Sequence, residues 1–139
     1  MPRTLRRLKR RADFLWVART RRRCAMPGLV LQVRRHTDAD PGEVAGAGSK
    51  EAAAAVRVGF TVSRKVGNAV QRNRARRRLR AAADAVLPVA ARPGHTYVLI
   101  GRKGTLTRPW TRLLADLDEA LRRCGAHLVG DDRAAGAGA

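Results

Sequence analysis

Six of the nine residues from Arg72 to Arg80 are arginine, and the nearest carboxylates on either side are Glu51 and Asp84. On a helix, at about 100° per residue, Ala75, Leu79, Ala82, Ala83 and Val86 fall on one stripe. Arg72, Arg76 and Arg80 form a row along one edge of it, while Arg74, Arg77 and Arg78 cover the opposite side. Such a helix buries a narrow, Ala-rich stripe and presents guanidinium over most of the remainder. Like charges at helical spacing repel. Arg72 and Arg74 also lie in the first turns, where the helix dipole disfavours a cation by about 0.3–1 kcal/mol. An ordinary solvated face mixes signs; this one has neither Lys nor Glu. The arrangement makes sense when a polyanion supplies the missing charge. Arginine in particular grips phosphates in bidentate fashion and stacks on bases. Arg64 and Lys65, just upstream, extend the patch.

The totals point the same way. The chain has 139 residues, with 30 Lys and Arg against 11 Asp and Glu, a formal charge of +19. That balance implies nucleic acid, with an anionic membrane surface as the weaker alternative. Apolar residues are 45% of the chain, which excludes a disordered basic tail, and aromatics are only 4%, which limits base stacking. Cys24 and Cys124 are too few for a disulfide framework or a zinc site, so they read as ordinary thiols. No apolar run approaches the roughly 20 residues needed to span a bilayer. The basic N-terminus lacks a following apolar region, so it is no secretory signal, and a transit peptide is the lesser alternative. The expected location is cytoplasmic.

In chain order, residues 4–19 carry Leu5, Leu8, Ala12, Leu15 and Ala18 at three- and four-residue steps. They predict a short amphipathic helix, with a start at Arg11 as the alternative. Arg21 to Arg23 read as a basic turn, and Leu29 to Arg35 as a strand. Residues 38–55 predict a long flexible connection, although Glu51 to Ala55 would also suit a helical turn. Val56 to Ser63 alternates as a half-buried strand. A helix is expected from Asn68, capped with Gln71, to about Val86, ended by Pro88. His95 to Gly101 predicts a third strand. A last helix near Arg108 to Cys124 has Trp110, Leu113, Leu114, Leu117 and Leu121 on one face. The order α-β-β-α-β-α implies an α/β two-layer sandwich with a small mixed sheet. Residues 1–130 form a single RNA-binding domain in this reading, and 131–139 a disordered tail.

No catalytic constellation is apparent. His36, His95 and His127 are scattered without a partner carboxylate at ligand spacing and read as surface histidines. Asp38 and Asp40 lie in the acidic connection and make a poor metal pair, so no metal site is expected. Gly101-Arg102-Lys103-Gly104 has the form of a phosphate clamp but follows a strand, and reads as a turn that touches RNA at most. A DNA-reading helix is a rival, yet arginine on all exposed sides reads base edges poorly. Folded RNA suits such a surface better.

The segment VGNAVQRNRARRRLR resembles the signature of the bacterial ribonuclease P protein subunit. Val66, Ala69, Arg72, Asn73, Arg74, Arg76, Arg77, Leu79 and Arg80 match it. VGFTVSRKVGNAV is similar to the family's second strand and turn, and LKRRADF to its basic first segment ending in a cleft aromatic, here Phe14. Two positions depart: Ala75 stands where a larger aliphatic is usual, and Ala18 where many members carry a second aromatic.

The resemblance implies a βαβ crossover of left-handed sense and a subunit that is not itself the catalyst. It implies a catalytic RNA that removes the 5′ leader of precursor tRNA, with Mg²⁺ held through that RNA and no cofactor on the protein. Arg64, Lys65, Asn68, Arg72, Asn73, Arg74, Arg76, Arg77 and Arg80 would face the catalytic RNA. Phe14, Gln32, Arg57 and Thr61 would line the leader cleft. No membrane and no obligate protein partner are implied. A ribosomal-type or chaperone-like structural RNA-binding protein is the alternative.

Overall fold

The computed structural model describes residues 5–20, 22–36 and 54–128. The 38–55 connection (but for its last two residues), Arg21, the Asp38–Asp40 pair and the 131–139 tail lie outside them. Five strands form one sheet in the order β1-β4-β5-β3-β2. These are β1 (Leu5–Arg7), β2 (Arg23–Ala25), β3 (Leu29–Arg35), β4 (Val56–Thr61) and β5 (His95–Gly101). The β1–β4 and β4–β5 pairs are parallel, and β5–β3 and β3–β2 are antiparallel, so the sheet is mixed. The helices among the described residues are α1 (Arg11–Ala18), α2 (Ala69–Ala90), α3 (Lys103–Thr107) and α4 (Trp110–Arg123). The parallel β4 and β5 are neighbours, so α2 is the crossover of a βαβ unit.

Alternation sorts the strands into two faces. Leu29, Leu31 and Val33 of β3, Val56 and Val58 of β4, and Tyr97 and Leu99 of β5 are buried in one cluster. The same cluster takes Ala75, Leu79, Ala82, Ala83 and Leu87 of α2, and Leu113, Leu117 and Leu121 of α4. Alanine at three of the α2 positions lets that helix lie close to its neighbours. Leu79 then supplies much of its anchoring, and truncating such a buried leucine costs about 2–5 kcal/mol. Trp110, placed by the periodicity on this apolar face, is instead 41% exposed. It is the first residue of α4, a turn before Leu113, and lies beyond the core's edge.

Among the described residues, α1 alone covers the other face of the sheet. Trp16 and Val17 are buried there with Val98, and Leu8, Phe14 and Ile100 pack around them. The apolar steps through residues 4–19 predicted a different face. Leu5 lies in a strand, Ala12, Leu15 and Ala18 are exposed, and Asp13, Trp16 and Val17 face inward. The pattern had joined a strand, a turn and a helix, so it described no single helical surface. Arg21 to Arg23 also end differently: Arg23 begins β2, pairing with Gln32.

The start of α2 carries no acid to offset its arginines, and a capping box stands in for one. The Asn68 carboxamide oxygen accepts from the Gln71 backbone N–H at 2.9 Å, and the Gln71 side chain accepts from the Asn68 N–H at 2.9 Å. Such caps contribute about 1 kcal/mol. Gly67 enters the cap at φ 154°, and a side chain there would collide with Gln71. Pro88, expected to end α2, lies within it, and the helix runs on to Ala90. The carbonyl that Pro88 leaves unpaired is that of Asp84, an exposed residue reached by water. Buried Leu87, Ala90 and Ala91 hold the last turn on the core.

Candidate nucleic-acid interface

Arg74, Arg77 and Arg80 are exposed along the outer face of α2, with Asn73 beside them. Arg72 and Arg76 are half-buried on one flank. Arg76 donates to the Asn73 carboxamide at 3.0 Å, which holds both side chains on that surface. Arg64 and Lys65 are exposed in the single 3-10 turn Arg64–Val66 that precedes the cap. Asn68 is also exposed, but its side chain is already used in the cap. Among the described residues, none of these seven cations forms an ion pair with a carboxylate. The Arg72 Nε is buried and makes no hydrogen bond. This surface therefore has guanidinium charge, orientation and no internal counter-charge.

Arg78 belongs elsewhere. It lies on the other flank of α2 and turns inward onto the end of α3. Its Nη1 donates to the carbonyls of Thr105 and Leu106 at 2.9 Å each, and its Nη2 to that of Arg108. The neighbouring seam is equally well partnered. Arg108 grips Asp116 with two hydrogen bonds, at 2.9 and 3.1 Å. Asp116 in turn accepts from the Gly28 N–H at 3.0 Å. The Thr105 hydroxyl donates to the Gly28 carbonyl at 2.6 Å. The Gly101–Gly104 segment is a turn into α3, and Arg102 donates from it to the Met26 carbonyl at 2.8 Å. Nothing local in the sequence separates Arg78 from its neighbours. Its partners are carbonyls 27 to 30 residues away, visible only once α3 is placed.

The four residues assigned to a leader cleft occupy the α1 side of the sheet. Cross-strand register sets Thr61 beside Ile100 and Val30, Gly59 beside Val98 and Gln32, and Arg57 beside Thr96 and Arg34. The Phe14 ring sits over Gly59, where a side-chain Cβ would come within 2.5 Å of it. Phe14 and Thr61 thus border the half-buried strip that α1 leaves open, together with Ile100. Gln32 lies two strands away in the Gly59 row and is buried. Arg57 lies on the far side of Gly59, close to Asp13. Burial lowers the pKa of its guanidinium, Asp13 opposes that shift, and Arg6 and Arg10 add to it. Trp16 is buried in this cluster, with the Arg34 guanidinium 4.5 Å above its ring.

The three histidines are not on the surface: His36, His95 and His127 are all buried. His36 bonds the Thr96 hydroxyl at 2.8 Å, and His95 Nδ1 pairs with the Pro93 carbonyl at 2.9 Å. His127 finds Asp118 at 2.8 Å, a carboxylate nine positions earlier that the local spacing does not suggest. Burial above all drives the His95 pKa down to about 4, with Arg22, Arg92 and His36 adding to the effect and the Pro93 carbonyl opposing it. Cys24 and Cys124 are free thiols, and burial pushes Cys124 up to about 11. Among the described residues no group of three or more His, Cys, Asp or Glu is arranged to hold a metal. No described helix is long and apolar enough to cross a membrane.

Comparison with known proteins accounts for this architecture. The family Ribonuclease P matches residues 1–125. The ribonuclease P protein component of Paramagnetospirillum magneticum is 54% identical over 86% of this chain and 83% of its own length. That of Caulobacter vibrioides is 46% identical over 91% of this chain and 77% of its own. The solved ribonuclease P protein of Thermotoga maritima superposes with a TM-score of 0.63 at 24% identity, covering 84% of this chain and 96% of that one. The Staphylococcus aureus protein gives 0.63 at 20% identity, covering 86% and 95%. Matched by the family over residues 1–125 and by curated relatives at 46–54% identity over most of its length, this protein belongs to the ribonuclease P protein component family.

Proposed function

We propose that this chain acts as the protein subunit of ribonuclease P, an endoribonuclease that removes the 5′ leader of precursor tRNA in the cytoplasm. Its partner is the catalytic RNA, which carries the chemistry and holds Mg²⁺ on its own phosphates. The observation that carries this reading is the outer face of α2. Seven cations gather on that face, its flank and the turn before it, unpaired with any carboxylate among the described residues, and the helix cap supplies no charge of its own. RNA phosphates would relieve their mutual repulsion. Arg64, Lys65, Arg72, Arg74, Arg76, Arg77 and Arg80 take the RNA in this reading. Asn73 orients Arg76, and Asn68 serves mainly by capping the helix. The strip beside α1, with Phe14 and Thr61 at its border, receives the single-stranded leader. Gln32 and Arg57 flank it from below and from the far side.

Reconstitution tests the reading. Cognate catalytic RNA should cleave precursor tRNA at low Mg²⁺ only when this protein is added. If the RNA cleaves at high Mg²⁺ and the protein contributes nothing at low Mg²⁺, the reading fails. A ribosomal-type or chaperone-like RNA binder would bind structured RNA equally well. It would not crosslink a short leader at Phe14.

A further inference from the structure

The seam between α2 and α3 holds a feature that the arginine face does not account for. Gln71, Arg74 and Arg78, at successive turns of α2, form one wall of an open cleft of about 580 Å³. Leu106, Thr107 and Arg108 form the other. The two walls differ in kind. Arg78 is clamped by three carbonyls and cannot swing away, yet it has no carboxylate partner among the described residues. Arg74 is exposed and unpaired beside it. Across the gap stand the half-buried Leu106 side chain and the exposed Thr107. The cleft thus offers a movable cation and an apolar surface within one concavity, beside an Arg78 guanidinium and a Gln71 carboxamide oxygen that the fold already holds.

A duplex does not fill such a site. Its phosphates run along the outside and its bases stay stacked, so it would meet the rim alone. A nucleotide extruded from a bulge or loop carries both parts that the cleft matches: a phosphate for the movable Arg74 guanidinium, and a flat base face for the apolar Leu106 side chain. We propose that this cleft receives one unstacked nucleotide of the RNA partner, so that this flank of α2 reads an RNA irregularity while the outer face reads only charge. The inference rests on the reading of the chain as an RNA-binding subunit, but its test needs no cleavage.

Two labelled RNA hairpins, identical except for one single-nucleotide bulge, are titrated with the full-length protein by fluorescence anisotropy. The bulged hairpin should bind about tenfold more tightly, the scale of one added phosphate contact together with one base face on an apolar side chain. Thr107→Glu places a carboxylate on an exposed position of the cleft, and Arg74→Ala removes the movable cation; each should erase most of that ratio. Arg77→Ala, on the outer face, should weaken both hairpins alike and leave the ratio intact. Equal affinity of the two hairpins for the unaltered protein overturns the proposal, as does a ratio that survives Thr107→Glu. Failure of the subunit reading is recognised separately. Precursor-tRNA cleavage would then be unaffected by the protein, whatever the bulge ratio.

Discussion

Arg77 and Arg78 are adjacent on one helix and have opposite surroundings. Around Arg77, on the outer face of α2, the guanidinium groups stand in water with no counter-charge among the described residues. Around Arg78, in the seam with α3 and α4, the guanidinium groups are consumed by carbonyls and by Asp116. The first region contributes nothing to the fold and is held in place only by the helix beneath it. The second joins α2, α3 and the start of α4 at one corner. Charge alone therefore does not identify the binding surface; a cation is available to a partner only where the fold has not already used it.

Substitution on each side breaks or sharpens this contrast. Replacing Arg74, Arg77 and Arg80 together with alanine should weaken RNA binding by about a hundredfold at moderate salt. It should also flatten the slope of log K against log salt by about two units. The urea midpoint should hold or rise, because repulsion on α2 is relieved. If binding and slope stay as they were, the outer face is not the interface. Arg78→Met should act in reverse. Leaving three carbonyls short of a charged donor costs about 2–3 kcal/mol, read as a lower urea midpoint. The salt slope of the protein that remains folded should match that of the unaltered chain. A slope that falls with Arg78→Met would merge the two regions into one.

A smaller effect concerns a buried polar group that avoids charge altogether. His95 in the fold takes a proton only near pH 4, whereas an unfolded histidine does so near the ordinary 6.5. The unfolded chain therefore gains the proton first as pH falls. The stability tied to neutral His95 is complete above about pH 6.5 and is lost as pH drops toward 4, on the order of 3 kcal/mol in all. Urea midpoints at pH 7 and pH 4.5 should converge in His95→Leu relative to the unaltered chain. Asp118, whose value lies below the usual carboxylate range, loses its contribution only at lower pH. Burial there works against the shift, and Arg122 and His127 outweigh it.

Much of the fold was legible because local pattern and tertiary environment agree. The alternation from Val56 onward, the Asn68–Gln71 cap and the stripe of Ala75, Leu79, Ala82 and Ala83 each require only nearby residues, and each appears in the structure as the sequence implies. The exposure of Arg74 and Arg77 was legible for the same reason, since both lie opposite that stripe; Arg80, set on its edge by the projection, is exposed as well. Where the outcome depends on distant segments, the pattern misleads. Leu5 and Leu8 mimic a helical face because a three-residue strand has no periodicity of its own. Pro88 is a helix breaker only where the freed carbonyl lacks water. Arg78 and the buried histidines find partners tens of residues away, or across a loop, and no spacing announces them.

The sheet ends at both sides in strands of only three residues, β1 and β2, which carry Arg6, Arg7 and Arg23. A free strand edge is a template on which another molecule can continue the ladder. Here the template is short, and two copies meeting along it would bring arginine against arginine. A chain that must be rich in valine and leucine to hold its sheet thus keeps its copies from fusing into a common sheet. The positive charge that we propose takes a nucleic acid also keeps the protein apart from itself.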